Sequence, residues 1–199
     1  MQICASDLGC VRSGREVFAH VNFSIESGDA LVVLGRNGSG KSSLLRMIAG
    51  LIRIAAGKVT LEGGDSELTL PEQAHYLGHL DPVKPSLTVG ENLAFWTRYL
   101  GGAPDSRALA TVGLDAIADL PAAYLSAGQR RRLSIARLIA VPRPVWLLDE
   151  PTSALDVPAQ VRLTEIMRQH RAGGGIVLAA THGPVGLEAA KELRLGEAA

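Results

Sequence analysis

The sequence predicts an α/β fold built on a mostly parallel sheet. Short, continuously apolar runs, which suit strands that are buried on both faces, occur at residues 30–34, 145–148 and 176–180. Between them lie segments with apolar residues at helical spacing, such as residues 42–51 and 159–170. Strands that alternate with helices in this order favour a parallel sheet with helices on both faces.

Shorter patterns predict further strands in the first half of the chain. Residues 21–25 and 58–62 alternate apolar and polar side chains, which is the period of a half-buried strand. Residues 75–78 form another, short candidate strand. We therefore expect the N-terminal part of the chain to be rich in strands.

Between residues 81 and 142 the pattern changes to helix. Thr88 and Glu91 have the spacing of a capping box, in which each residue caps a backbone N–H of the other. The helix that follows has an apolar stripe of Leu93, Trp96, Tyr99 and Leu100. Residues 105–112 and 129–139 also have helical patterns. We expect this segment to form a helical subdomain that is inserted into the rest of the domain.

The composition excludes several classes of protein. A chain of 199 residues suits one domain, over residues 1–199, and an apolar fraction of 47% is enough for a core. Twenty Lys and Arg balance twenty Asp and Glu, which argues against a dedicated DNA-binding domain and an electrostatic membrane anchor. No apolar run approaches the roughly 18–20 residues that span a bilayer. Cys4 and Cys10 make no disulfide framework, and the arginines at residues 130–132 are interpreted as a solvated helix face rather than a site for RNA or lipid.

A glycine-rich segment joins the apolar run at residues 30–34 to the helical pattern after it. Its sequence, GRNGSGKS, fits the phosphate-binding pattern of a glycine, four residues, Gly-Lys and a hydroxyl residue. Glycines let successive N–H groups point at phosphate oxygens, and the helix N-terminus adds its positive dipole end. Lys41 supplies a charge for the β- and γ-phosphates, and the Ser42 hydroxyl suits Mg²⁺. The residues expected to bind ATP are Gly35, Arg36, Asn37, Gly38, Ser39, Gly40, Lys41, Ser42 and Ser43.

The apolar run at residues 145–148 ends in two adjacent carboxylates, Asp149 and Glu150. In open α/β sheets, ligands bind at the carboxyl ends of the strands, which is where this pair falls. Asp149 suits Mg²⁺, held through water, and Glu150 suits the orientation and deprotonation of an attacking water. Such a pair also caps helices, but a phosphate-binding loop about 110 residues upstream favours the catalytic interpretation.

Further motifs lie on both sides of the two carboxylates. The sequence LSAGQ, which contains Ser126, Gly128 and Gln129, precedes them by some twenty residues. SALD follows at residues 153–156, and His182 comes after the last apolar run. Taken alone, Ser126 is better explained as a helix N-cap and His182 as a packed or surface residue. Together and in this order, however, the motifs cover nearly the whole chain, and the sequence resembles the ATP-binding cassette (ABC) ATPases.

This resemblance implies a P-loop NTPase fold with an antiparallel N-terminal β part, and an enzyme that hydrolyses ATP with Mg²⁺. ABC ATPases work as head-to-tail dimers with two ATP molecules between the subunits. Ser126, Gly128 and Gln129 of the LSAGQ signature would therefore contact ATP on the second ATPase subunit, where a helix N-terminus favours an anion. The implied catalytic residues are Glu150, His182 and Lys41, and the implied Mg²⁺ ligands are Ser42 and Asp149.

Less specific features of the sequence point to one group within the ABC ATPases. Ala127 stands where most ABC signatures have glycine, Gly78 and His79 precede the Q-loop position, and LAFW at residues 93–96 follows Glu91-Asn92. The chain is similar in these respects to the ATP-binding subunits of the haem exporters of cytochrome c maturation. That similarity implies a multi-spanning membrane permease as partner, a peripheral position at the cytoplasmic face of the inner membrane, and no nucleic acid. An ABC ATPase for another cargo, such as a drug or lipid, and a soluble non-transport ABC ATPase stay open as alternatives.

The sequence departs from the family pattern in two places. The Q-loop position, normally Gln, is occupied by Leu80, which has no polar atom for Mg²⁺ or water. Either His79 substitutes for it or a looser metal shell suffices. No aromatic residue stands at the N-terminal position where the family stacks adenine, so we expect the base to rest on Val11, Arg12 or Phe18, with weak discrimination between bases. For the permease contact, the insertion offers Trp96 and Tyr99, although core packing explains either residue equally well.

Overall fold

A computed structural model describes residues 1–103 and 107–196. The chain divides into two compact units. The first comprises Met1–Gly78, Pro144–Pro151 and Ile166–Ala199, and the second comprises His79–Arg143 and Thr152–Glu165. The second unit thus includes a segment after Asp149 that lies outside the predicted insertion at residues 81–142.

The first unit contains two sheets. Three antiparallel strands form one sheet in the order β2-β1-β4, and five parallel strands form the other in the order β5-β6-β7-β3-β8. The strands are β1 (Gln2–Arg12), β2 (Arg15–Glu26), β3 (Ala30–Leu34), β4 (Ala56–Glu62), β5 (Ala74–Leu77), β6 (Val145–Asp149), β7 (Ile176–Ala180) and β8 (Lys191–Arg194). The parallel sheet that the alternating pattern predicted is therefore confirmed.

The apolar runs form the centre of the parallel sheet. All five residues of β6 and all five of β7 are buried, as expected for strands covered on both faces. The sequence patterns did not predict β8, and the reason lies in its composition. Its residues are Lys-Glu-Leu-Arg, three of which are exposed, because it pairs only with β3 at the edge of the sheet.

The helices of the chain are α1 (Lys41–Ile48), α2 (Val89–Tyr99), α3 (Arg107–Thr111), α4 (Ala127–Ala140) and α5 (Val157–Ala172). Helix α1 ends earlier than the predicted residues 42–51. Gly50 adopts a left-handed φ of 71°, and the N–H groups of Gly50 and Leu51 donate to the carbonyls of Met47 and Arg46. This is the hydrogen-bond pattern of a glycine-terminated helix. The prediction that placed Leu51 on the buried stripe is wrong, since its side chain is 63% exposed.

Helices α2, α3 and α4 build the second unit. The predicted capping box at the start of α2 is confirmed, with Thr88 Oγ1 accepting from the Glu91 N–H and Glu91 accepting in return. On the predicted stripe Leu93 is buried, but Tyr99 is 73% exposed. The predicted helix at residues 105–112 corresponds to α3, and its first two positions lie outside the described residues.

The arginine run on α4 does not form one solvated face, which corrects the prediction made for it. Successive helix residues point about 100° apart, so the three guanidinium groups take different surroundings. Arg131 is only 2% exposed and forms a 3.2 Å ion pair with Asp81. Arg130 folds back onto the carbonyl of Leu125, and Arg132 donates to backbone carbonyls just before residue 114.

An unusual ring stack joins α5 to β6 within the first unit. The rings of His170 and Trp146 are parallel to within 7°, with centroids 3.8 Å apart. Burial of the imidazole lowers the pKa of His170 to about 4, because the charged form loses its hydration. His170 is therefore a neutral packing residue at physiological pH. Among the described residues, no helix is both long and apolar enough to span a bilayer.

Candidate nucleotide site

A cavity of about 490 Å³ lies in the first unit, around the N-terminus of α1 and the end of β6. This volume falls in the range of roughly 300–1,000 Å³ that is typical of small-molecule sites. The predicted site residues that line it are Asn37, Gly38, Gly40, Lys41, Ser42, Ser43, Asp149, Glu150 and His182. Arg12, Ser13, Val17 and Arg46 complete its wall. The structure thus brings the phosphate-binding loop, both carboxylates and the histidine together.

Lys41 is 7% exposed, and its ammonium group is held by the loop itself. Nζ donates to the carbonyl oxygens of Gly35 at 2.8 Å and Arg36 at 3.3 Å. It also lies 3.1 Å from Nε2 of His182. Because an ammonium group can only donate, Nε2 is the acceptor in any hydrogen bond between these two groups.

Asp149 is 2% exposed, and donors reach both oxygens of its carboxylate. Ser42 Oγ donates to Oδ1 at 2.9 Å. The Tyr76 hydroxyl donates to Oδ2 at 3.2 Å, and Arg46 Nε donates to that hydroxyl at 3.1 Å. Sequence analysis missed Tyr76 and Arg46, although Arg46 stands one helical turn after Ser42 and therefore shares its face of α1.

Glu150 occupies a strained backbone position directly after β6. Its φ is 46°, in the left-handed region that residues with a side chain rarely adopt. The Glu150 N–H donates to the carbonyl of Ala180 at 2.9 Å, which ties this turn to the end of β7. Oε1 then lies 3.7 Å from Nε2 of His182. Strained backbone of this kind is concentrated at functional sites in proteins.

The tip of the hairpin between β1 and β2 contributes to the wall of the cavity. Ser13 and Gly14 have φ values of 50° and 75°, as in the tight turns that connect two antiparallel strands. Arg12 and Val17 flank this turn and line the cavity. Of the three residues considered for the base, Arg12 is therefore well placed. Phe18 is not, because it is 7% exposed and packs in the hydrophobic core.

The signature residues belong to the second unit. Ser126 caps α4, since its Oγ accepts from the Gln129 N–H at 3.2 Å, and Gln129 Oε1 accepts from the Ser126 N–H at 2.8 Å. A side chain at Gly128 would place its Cβ 2.8 Å from the carbonyl oxygen of Ala154. The N-terminus of α4 and the SALD segment are therefore in close backbone contact, which only glycine allows.

The cavity has the groups that a nucleotide phosphate and its metal require. Ser39 Oγ is buried within the loop and has no hydrogen-bond partner among the described residues. Helix α1 has no side-chain cap at Gly40 and no acidic residue in its first turn, so its N-terminal N–H groups suit an anion. Ser42 and Asp149 offer the oxygen ligands that Mg²⁺ prefers. The residues present therefore fit Mg²⁺ and a triphosphate.

Comparison with known proteins gives the family. The family model described as ABC transporter matches residues 18–153. The cytochrome c biogenesis ATP-binding export protein CcmA of Nitrobacter winogradskyi is 65% identical over 201 residues, which cover 100% of both chains. The chain belongs to the ABC transporter family. A protein of the same description from Bradyrhizobium diazoefficiens is 59% identical over 98% of both chains.

Solved structures of ABC proteins support the fold. An ATP-binding subunit of an ABC transporter has a TM-score of 0.87 and 24% identity, with 98% of this chain and 86% of that chain covered. A putative ABC transporter ATP-binding protein from Pyrococcus furiosus has a TM-score of 0.84 and 20% identity over 98% of both chains. The predicted ABC ATPase fold is confirmed, and the chain is a nucleotide-binding ATPase of the ABC family.

Proposed function

We propose that this ABC ATPase drives an export complex that delivers haem for cytochrome c biogenesis. The observation that carries the proposal is its identity of 65%, over the whole length of both chains, with a cytochrome c biogenesis ATP-binding export protein. The cavity supports it, because a motor subunit needs a complete set of phosphate-binding and hydrolytic groups. Haem as cargo follows from the resemblance of the sequence to haem exporters.

In this proposal the phosphate-binding loop exchanges internal contacts for contacts with ATP. Lys41 leaves the carbonyls of Gly35 and Arg36 and donates to the β- and γ-phosphates. Ser39 Oγ and the N-terminal N–H groups of α1 donate to the phosphate oxygens. Arg12 and Val17 at the hairpin tip contact the base, and the guanidinium plane of Arg12 stacks on it.

Hydrolysis is assigned to the two side chains beside the phosphate loop. Glu150 orients the attacking water and accepts its proton, because its carboxylate projects from the end of β6 into the cavity. His182 is the second of these side chains, and its Nε2 contacts both the Lys41 ammonium group and the Glu150 carboxylate. Ser42 and Asp149 hold Mg²⁺, which neutralises charge on the phosphate oxygens when bound.

Two copies of the chain then form the active assembly. Ser126, Gly128 and Gln129 at the N-terminus of α4 contact the γ-phosphate of ATP on the other copy, where the helix dipole favours an anion. The partner in the membrane is a multi-spanning permease at the cytoplasmic face. Its contact lies on the second unit, near residues 81–84 and Trp96, since the Phe95 and Trp96 rings are only partly buried there.

A gene deletion tests the cargo. Cells without this chain are expected to lack mature c-type cytochromes while b-type haem proteins persist, and the wild-type gene should restore them. Complementation with Glu150→Gln should fail although the protein accumulates. Normal c-type cytochromes in the deletion strain would remove haem export and leave an ABC ATPase for another cargo.

The proposed attachment of the chain to a membrane permease is tested by cell fractionation. Trp96→Ala, or charge reversal at Lys84, should release the chain from membranes that contain its permease without abolishing basal ATP hydrolysis. If the wild-type chain stays in the soluble fraction when the genes beside it are co-expressed, the permease contact is refuted.

A further inference from the structure

The carboxylate of Asp149 is oriented by two hydroxyl groups that come from different elements. Ser42 on α1 donates to Oδ1 at 2.9 Å, and Tyr76 on β5 donates to Oδ2 at 3.2 Å. With Asp149 only 2% exposed, water competes weakly for either oxygen. These two donors therefore hold the carboxylate at both of its oxygens, and only Ser42 belongs to a recognised motif.

Tyr76 is itself held by a cation. Arg46 Nε donates to its hydroxyl oxygen at 3.1 Å, so the phenol accepts from a guanidinium and donates to a carboxylate. Each hydrogen bond in such a chain polarises the next. A phenol hydroxyl can donate one hydrogen bond and accept another at the same time, which is the arrangement seen here.

The backbone around β5 makes room for this arrangement. A Cβ at Gly78 would lie 3.0 Å from Cε1 of the Tyr76 ring, so a larger residue there would press on the phenol. The glycine at position 78 therefore leaves the Tyr76 ring the room in which it reaches the carboxylate.

We propose that Tyr76, oriented by Arg46, is a positioning residue that fixes the Asp149 carboxylate for the Mg²⁺ of the bound nucleotide. The inference rests on the proposed roles of Ser42 and Asp149 as Mg²⁺ ligands. It predicts that removing the Tyr76 hydroxyl weakens the use of Mg²⁺ and leaves metal-free nucleotide binding unchanged.

The test measures binding rather than turnover. Tyr76→Phe is made in a Glu150→Gln background, and binding of a fluorescent ATP analogue is followed as Mg²⁺ is titrated, with a parallel measurement in EDTA. The half-saturating Mg²⁺ concentration should rise roughly threefold to tenfold. This is smaller than the roughly 10–100-fold loss that is typical when an outer-shell partner of a metal is removed, because Ser42 still holds Oδ1. Tyr99→Phe removes a phenol hydroxyl from an exposed ring and should change nothing.

A second variant separates orientation from a general structural effect. In the same Glu150→Gln background, Arg46→Met should raise the half-saturating Mg²⁺ concentration when Tyr76 is present but add nothing to Tyr76→Phe, since both changes act through one hydroxyl. The proposal would be overturned if Tyr76→Phe weakened binding of the ATP analogue equally with and without Mg²⁺. It would also be overturned if the variant lowered the melting temperature and left the half-saturating Mg²⁺ concentration unchanged. If Asp149→Asn raises the Mg²⁺ requirement and Tyr76→Phe does not, Tyr76 alone loses its role. If neither variant changes it, the metal site itself is wrong.

Discussion

Replacing Arg12 with alanine should weaken the binding of every nucleoside triphosphate by about the same factor. Arg12 lines the cavity beside the hairpin turn, while the aromatic Phe18 is buried in the core. A guanidinium plane stacks on any base, because it recognises the π-face rather than the polar edge. We therefore expect the wild-type protein to bind ATP and GTP with affinities that differ by less than about fivefold.

The size of the effect follows from the exposure of the side chain. Arg12 is an exposed residue, and cation–π contacts at exposed sites contribute about 0.5–1 kcal/mol. At about 1.4 kcal/mol for each factor of ten, the dissociation constant should rise about twofold to fivefold in Arg12→Ala. Arg12→Lys keeps the charge but loses the plane, so it should lose most of the same affinity if stacking is the cause.

Calorimetric or fluorescence titration with ATP, GTP and CTP measures these constants directly. Arg15→Ala is the matched control, since Arg15 pairs with Arg12 across the turn but does not line the cavity. Stacking of the base on Arg12 is refuted if Arg12→Ala binds ATP as the wild type does, or if the wild type prefers ATP over GTP by more than about tenfold. Full affinity in Arg12→Lys would show that charge, not stacking, matters.

Other variants address the remaining parts of the molecule. Glu150→Gln should slow hydrolysis at least about a hundredfold while ATP binding persists, whereas Lys41→Ala should lose affinity; near-normal turnover in the first would exclude Glu150 as the base. Gly128→Ala places a Cβ 2.8 Å from the carbonyl oxygen of Ala154, so ATP-dependent dimers, measured by light scattering in a Glu150→Gln background, should be lost. The pKa of His170 is about 4 in the fold and about 6.5 unfolded, so the unfolded chain binds more protons between these values and stability falls as pH drops through this window. Between pH 7 and pH 5 the wild type should therefore lose up to about 2 kcal/mol more unfolding free energy than His170→Phe does. Equal losses in the two proteins, measured by urea unfolding at each pH, would contradict this.

The sequence predicted those features that depend on neighbours along the chain. The phosphate-binding loop, the Asp149-Glu150 pair and the capping box of α2 each need residues at fixed short spacings, and these patterns are visible without a structure. Tyr76 and Arg46 could not be found in that way. Their importance comes from contacts between β5, α1 and β6, whose residues are 30 and 73 positions apart.

Periodicity also does not show where an element ends, or whether every apolar position on its stripe is covered. Tyr99 and Leu51 both lie at the correct spacing for an apolar stripe, and both are exposed. Leu51 is exposed because a left-handed glycine ends α1 before it, and Tyr99 is the last residue of α2, beyond Thr97, which is the last residue that the helix buries. For Arg131 the error is the opposite one, because a residue that was expected to be solvated is buried and forms an ion pair with Asp81.

At position 150 the residue that best suits the left-handed backbone is not the residue that ATP hydrolysis requires. A glycine or asparagine there would relieve a conformational cost of roughly 1–2 kcal/mol, so mutagenesis that selects only for thermal tolerance should enrich such substitutions. Each of them would remove the carboxylate that points into the cavity. Heat-resistant variants of this ATPase recovered without a transport screen are therefore expected to include inactive ones, and residue 150 is the first place to sequence.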